Sequence, residues 1–245
     1  MEQQRQLWYT YIMKVTYIFH SGFLIETAHS YYLFDYYQGC LPEMDRAKPV
    51  VVFASHNHAD HYNPDIFTML KGIGMESIIA VLAKDIPEKK YPQSITVIKA
   101  HGKRDYLLPG GEKLYTLISN DAGVAFLLST PEGTIYHAGD LNDWTWEGES
   151  ESFNKQIRGT YRRRIDDMRG TDIDIALLPL DPRQEAHYAD GMAYFLSVLK
   201  PKEVYPMHYW QKPEVIGQFI QEYPQYSEIV KNTEEYAGGK PCSSK

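Results

Sequence analysis

Apolar positions in this chain fall mostly in runs of four to six residues separated by polar turns, which is the pattern of a strand-rich fold. Residues 14–19 (KVTYIF) read as a strand of β-branched and aromatic residues that ends at the turn His20-Ser21-Gly22. Residues 23–27 and 31–34 follow at close spacing and predict an antiparallel meander. Residues 50–53, apolar without alternation after Pro49, predict a strand buried on both faces. Asn63-Pro64-Asp65 then predicts a helix over 64–71, with Asn63 as N-cap, Pro64 in the first turn, Asp65 at the positive end of the dipole and Gly72 as stop. Further strands are expected at 78–82, 94–99, 113–119, 174–178 and 204–207, with a hairpin formed by 124–129 and 134–137. Helices are expected from Asp190-Gly191 through Leu199 and over 215–222. Residues 1–12 read as an arm or added strand, and the tail from Gly238 as loose. The two halves resemble each other in outline, since each ends apolar strands on His or Asp. That suits two packed sheets with ligands gathered at one edge. No linker or repeat divides the chain, so a single domain over 1–245 is expected, with a charged helical insertion near 149–170 ended by Gly170.

Composition changes this picture only by exclusion. The 245 residues are 43% apolar, enough for a core, and the net charge of −7 weighs against a general nucleic-acid binder. Cys40 and Cys242 do not make a disulfide framework and fit a reduced cytoplasmic setting. The first fifteen residues lack the apolar core and cleavage site of a secretory signal, and no apolar run reaches the ~18 residues of a membrane span. Arg162-Arg163-Arg164 invites a phosphate-gripping role, but consecutive helical residues fan over different faces and a solvated surface is the simpler reading. Oligomeric state stays open.

The chemistry concentrates in residues 55–61, Ser-His-Asn-His-Ala-Asp-His, directly after the most apolar strand. Histidine and carboxylate are the ligand types of zinc and similar divalent metals. In an extended segment His56 and His58 point the same way and can reach one ion. Asp60 and His61 come after the chain turns and can address a second, and metals roughly 3.5–4 Å apart can share a water and clamp attacking and leaving oxygens. One loop cannot complete two sites. Asp140, after His137-Ala138-Gly139, is the best bridging carboxylate, and His208, after Pro206-Met207, the best distant histidine.

The motif His-Asn-His-Ala-Asp-His at 56–61 resembles the HxHxDH signature of the metallo-β-lactamase superfamily. His20-Ser21-Gly22-Phe23 resembles the N-terminal strand turn of its lactonase-like and phospholipase-D-like branches. His137-Ala138-Gly139-Asp140 and Pro206-Met207-His208 resemble the segments bearing the bridging aspartate and the last histidine. The resemblance runs through nearly the whole chain. It implies an α/β fold with αββα four-layer architecture, metals in a cleft at one edge of the sheets, and metal-activated hydroxide attacking an ester, lactone, amide or phosphodiester. It places His56 and His58 in a first site, Asp60, His61 and His208 in a second, and Asp140 between them, with Asp60 also orienting the nucleophile. The family's third histidine of the first site is missing: residues 119–123 read Ser-Asn-Asp-Ala-Gly. Either Asp121 or Asn120 substitutes through oxygen, or a water does, or the first site is weak or empty.

Further candidates are His20, which the resemblance implies faces the cleft as a second-layer or substrate group, Asp35 as a carboxylate orienting a metal histidine, and Asp181 and Arg183, with Arg183 suited to an anionic group. Trp144 and Trp146 either wall the pocket or pack the inserted helix, and His101 and His137 read as structural. The expectation is a cytoplasmic metal-dependent hydrolase of a small or lipid-like ester, lactone or phosphodiester. Zinc, one or two ions, is the default cofactor, with manganese or iron suited to an oxygen-rich site. The alternatives are a catalytically reduced metal- or ligand-binding protein and, against the acidic charge, a nuclease of the same superfamily.

Overall fold

The structure, a computed structural model, describes residues 13–238. The expectations for the first twelve residues and for the tail beyond 238 lie outside the described residues. Twelve strands form two six-stranded sheets. The first holds β1 (Lys14–Phe19), β2 (Gly22–Glu26), β3 (Tyr31–Phe34), β4 (Val50–Ala54), β5 (Ile78–Ala83) and β6 (Thr96–Ala100) in that order. The second holds β7 (Arg104–Leu107), β8 (Lys113–Ile118), β9 (Val124–Thr130), β10 (Gly133–His137), β11 (Ile175–Pro179) and β12 (Glu203–Met207), also in chain order. Each sheet begins as an antiparallel meander and turns parallel: β3 to β6 in the first, β10 to β12 in the second.

Parallel neighbours need a crossover, and helices supply it at three of them. Helix α1 (Asp65–Gly72) joins β4 to β5, α2 (Glu151–Asp166) joins β10 to β11, and α3 (Asp190–Val198) joins β11 to β12, while α4 (Glu214–Glu222) follows β12. Inward faces meet in one apolar core. At its centre Phe34 of β3 stacks on Phe53 of β4 at 4.6 Å, and Phe126 of the other sheet lies 5.2 Å from Phe53. All five residues of β4 are buried, as the unalternating run predicts for a strand covered on both faces.

Local signals largely hold. Asn63 Oδ1 accepts the Asp65 amide, while Ser150 caps α2 through the Phe153 amide. The predicted stop of α1 is corrected. Gly72 is its last helical residue, and Gly74, at φ +90°, makes the turn, with Met75 N–H reaching Leu70 O and Gly74 N–H reaching Lys71 O. Strand β7, Arg-Asp-Tyr-Leu, is an edge strand almost without burial, so no apolar pattern announces it. Cys40 is disulfide-bonded, so the cysteines give no support for a reducing compartment. No helix among the described residues is long and apolar enough to cross a membrane.

Candidate metal centre

Side chains of the candidate site sit just beyond the carboxyl ends of strands, where open sheets of this kind present ligands. His20 follows β1, Asp35 follows β3, residues 55–61 follow β4, Asp140 follows β10, Asp181 follows β11 and His208 follows β12. Three of these turns run through positive φ without glycine: His20 at +56°, Asp35 at +41° and His208 at +65°. Such conformations are disfavoured for residues with a Cβ and persist where the surroundings hold them. Here Tyr17 Oη accepts the His20 amide, and the His208 amide donates to His20 O. Gly139, at φ +53°, makes the approach between sheets possible, because a Cβ there would stand 2.7 Å from Ser55 Cβ and 2.9 Å from Val124 O.

The donors form two groups. His20, Asp60, His61 and His208 each offer an atom within 4.8 Å of the others, and so do His56, His58 and Asp140. Asp140 spans both: Oδ1 lies 3.1 Å from His61 Nε2 and 3.5 Å from His208 Nε2, while Oδ2 lies 3.3 Å from His56 Nε2. His20 Nε2 lies 3.6 Å from Asp60 Oδ2. Donors held at 2.0–2.2 Å around one tetrahedral ion are about 3.4 Å apart, so these separations suit a shared cation. Among the described residues, Nε2 of His20, His56 and His61 and Oδ1 of Asp140 are buried and make no hydrogen bond. Buried polar atoms normally find partners. Four such atoms converging, all of ligand chemistry, fit a divalent metal.

The opposite ring nitrogens are all accounted for. Asp35, fully buried, accepts the Ser55 amide at 2.7 Å, Ser55 Oγ at 2.6 Å and His61 Nδ1 at 2.7 Å. Ser55 Oγ spends its proton on Asp35, so His56 Nδ1, 3.0 Å away, donates to it. One carboxylate thus anchors the Nδ1 side of both His56 and His61 and turns both Nε2 atoms toward the cluster. Asp181 does the same for His208, with Oδ2 3.0 Å from Nδ1.

Burial lowers His20 to about 3 and His56 to about 4, each helped by neighbouring histidines, so both rings are neutral at pH 7. Burial also opposes charge on His61, but Asp140 and Asp35 outweigh it and raise its pKa well above the ordinary value. Burial would raise Asp140, yet His61, His208 and His56 hold it far below the usual carboxylate range. Asp181 is held at about 2, because hydrogen bonds from His208 and Arg183 overcome its burial.

A cleft of about 440 Å³ opens over the cluster. His58, Asp60, Asp121, Asp140 and His208 face it; Trp144, Trp146, Phe153, Ile157 and Trp210 supply an apolar wall, and Arg183 the cation. Trp144 and Trp146 are parallel at 6.0 Å, and Trp144 Nε1 donates to Asp140 O. Arg183 lies 4.3 Å over Trp210 and forks onto Asp181.

The structure therefore gathers His56, His58, Asp60, His61, Asp140 and His208, with Asp35 and Asp181 behind them, as the strand ends suggest. His20 lies closer to the chemistry than a second layer, within the donor group itself. Asp121 faces the cleft but stands outside both groups, and its carboxyl is raised by burial and by Asp140. Asn120 borders the cleft, but its Nδ2 donates to Asn142 O at 2.7 Å and Ile157 O at 3.4 Å and its Oδ1 accepts the Asn142 amide at 3.3 Å, tying the loop to α2. His137 is structural: it stacks on Phe34, accepts the Gly139 amide and donates to Ser21 O. Arg162, Arg163 and Arg164 of α2 stay off the cleft wall, and Arg162 packs over Tyr194. Sequence reading missed Ser55, Trp210, Phe153 and Ile157. An aromatic residue, Phe153, amid the charged positions of α2 was the available signal.

Comparison with known proteins agrees with the fold. A metal-dependent hydrolase of Pyrobaculum arsenaticum is 29% identical over 218 residues, covering 80% of this chain and 84% of that protein. One from Pyrobaculum islandicum is 27% identical over 91% of this chain and 96% of its own length. Among solved structures, Igni18, a metallo hydrolase from Ignicoccus hospitalis, superposes with a TM-score of 0.60 at 18% identity, over 94% of this chain and 97% of that one. Residues 14–151 match the family described as the beta-lactamase superfamily domain. With its two strand-end donor groups and its sheet order, the chain belongs to the metallo-β-lactamase superfamily.

Proposed function

We propose that the protein is a metal-dependent hydrolase that cleaves a carboxylic ester or lactone of a small or lipid-like molecule, with an apolar group lodged against the tryptophan wall. The observation that carries this reading is the convergence of unpaired, buried Nε2 and Oδ1 atoms at the floor of an apolar-walled cleft. The names of the Pyrobaculum relatives, metal-dependent hydrolases, support it.

His56, His58, Asp60, His61, Asp140 and His208 would hold the metal, with zinc the first choice for so many imidazoles and manganese or iron suited to the carboxylate share. When bound, the cation supplies Lewis acidity, polarising the scissile oxygen and bringing the acidity of water toward neutral pH. Asp60, partly exposed at the cleft floor, accepts a hydrogen bond from the attacking water and orients it. Asp35 and Asp181 anchor the Nδ1 side of three imidazoles and turn Nε2 toward the cluster. Trp144, Trp146, Phe153 and Trp210 exclude water from the apolar part of the substrate. Among the described residues Arg183 is the sole cation on the wall, and Asp181 already engages it. That weighs against a polyanionic substrate and against a nuclease.

The test is metal content of the purified protein together with turnover of three probes: a p-nitrophenyl acyl ester, an acylated γ-lactone and bis-p-nitrophenyl phosphate. Ester or lactone hydrolysis that chelator and His58→Ala both abolish is the expected result. Faster turnover of the phosphodiester would replace the substrate class. Retained metal without turnover of any probe would favour a catalytically reduced binding protein, a reading supported by the absence of an imidazole at 119–123. No metal, and no effect of chelator on stability, would refute the metal reading altogether.

A further inference from the structure

The two donor groups are unequal, and His20 makes them so. The His56 group has three members and includes Asp140, whereas the His20 group has four side chains before Asp140 is counted. A divalent zinc held by four protein donors is closed, and one held by three keeps a position open for another ligand. Exposure follows the same division. His20, His61 and His208 are buried, whereas His58 is exposed at the cleft.

His20 is built for this place. Its Nε2 is buried without a hydrogen bond and lies 3.6 Å from Asp60 Oδ2, and its ring packs 4.3 Å from that of His208. Its backbone is held in the left-handed region by Tyr17 Oη and by the His208 amide, so the strained turn aims the imidazole inward. Trp210, 4.5 Å away, covers its other side.

We infer that His20 is itself a metal ligand, sharing an ion with Asp60, His61 and His208. The His20 group therefore fills first and retains its ion, while the His56 group fills second and exchanges. This rests on the metal-hydrolase reading but makes a separate claim about which residues hold which ion.

The experiment strips the full-length protein with chelator and titrates it with zinc by calorimetry, with a competing chelator for the tighter class. His20→Asn is the chosen variant, because asparagine tolerates positive φ while withdrawing the imidazole. The wild type is expected to bind two equivalents with affinities at least about tenfold apart. His20→Asn should weaken the tighter class on the order of 100-fold, and His58→Ala should weaken the looser class only. X-ray absorption on wild-type protein loaded with one equivalent should count three imidazoles, a readout independent of any variant's folding. Equal affinities, an unchanged tighter class in His20→Asn, or two imidazoles at one equivalent would each overturn the inference and leave the hydrolase reading standing. Absence of zinc binding by the wild type would overturn both.

Discussion

Replacing Asp35 by asparagine tests the frame of the centre. The carboxylate is fully buried and accepts three hydrogen bonds of 2.6–2.7 Å, two of them from groups that orient His56 and His61. Asparagine keeps the shape and one acceptor, which can still take the Ser55 amide. Its NH2 then faces Ser55 Oγ and His61 Nδ1, and two charge-assisted bonds are lost. At ~1.5–3 kcal/mol each, with partial recovery by the amide, the expected loss is about 3–5 kcal/mol, a large share of the ~5–15 kcal/mol typical of a folded protein. Urea unfolding of metal-stripped protein reads this loss directly. Metal affinity should fall a further ~10–100-fold, as for other outer-layer carboxylates, read by competition with a chelator. A stripped Asp35→Asn protein within about 1 kcal/mol of wild type would show that Asp35 does not hold the loop. Unchanged metal affinity would show that it does not position the ligands.

Other outcomes follow from the same structure. Gly139→Ala meets both a left-handed backbone (~1–2 kcal/mol) and a crowded seam (~1–3 kcal/mol), so a loss of about 2–5 kcal/mol in denaturation is expected; a loss under 1 kcal/mol would mean that the two sheets can part there at little cost. Removing metal held at a thousandfold excess over its dissociation constant should cost about 4 kcal/mol, or roughly 8–16 °C in thermal melting, reversed by zinc. Asp174 bonds the Thr134 amide at 2.7 Å and pairs with Lys202, and the Lys202 bond leads the interactions that lower its pKa against burial. Its contribution is therefore present above the unfolded carboxylate value and is lost as pH falls through its lower folded pKa. Asp174→Asn should flatten the acid limb of the stability curve by under about 1 kcal/mol, since Lys202 is largely exposed.

The sequence carried most of the fold because each sheet is wound in chain order, so reading strands one after another nearly reproduces their neighbours. Residues 50–54 and the strand at 175–179 were legible because burial on both faces leaves no polar position. Strand β7 was not, because an exposed edge needs no apolar code. In the site, ligand types at strand ends were visible from residue identity alone. His20's depth was hidden, because it depends on a positive-φ turn and on packing against His208, 188 positions later. The role of Asn120 was equally hidden, since its partners Asn142 and Ile157 are set by how α2 docks.

The division of donors between sheets also has a consequence in time. Five of the seven, His20 to His61, belong to the first sheet and leave the ribosome early, whereas Asp140 and His208 come with the second. At ~5–20 residues per second, the interval between His61 and His208 is on the order of ten seconds. During it the chain lacks both the spanning carboxylate Asp140 and the final ring, His208. Only the arrival of β12 brings the last of these side chains, so the cluster of donors is complete only when nearly all of the described chain has been made.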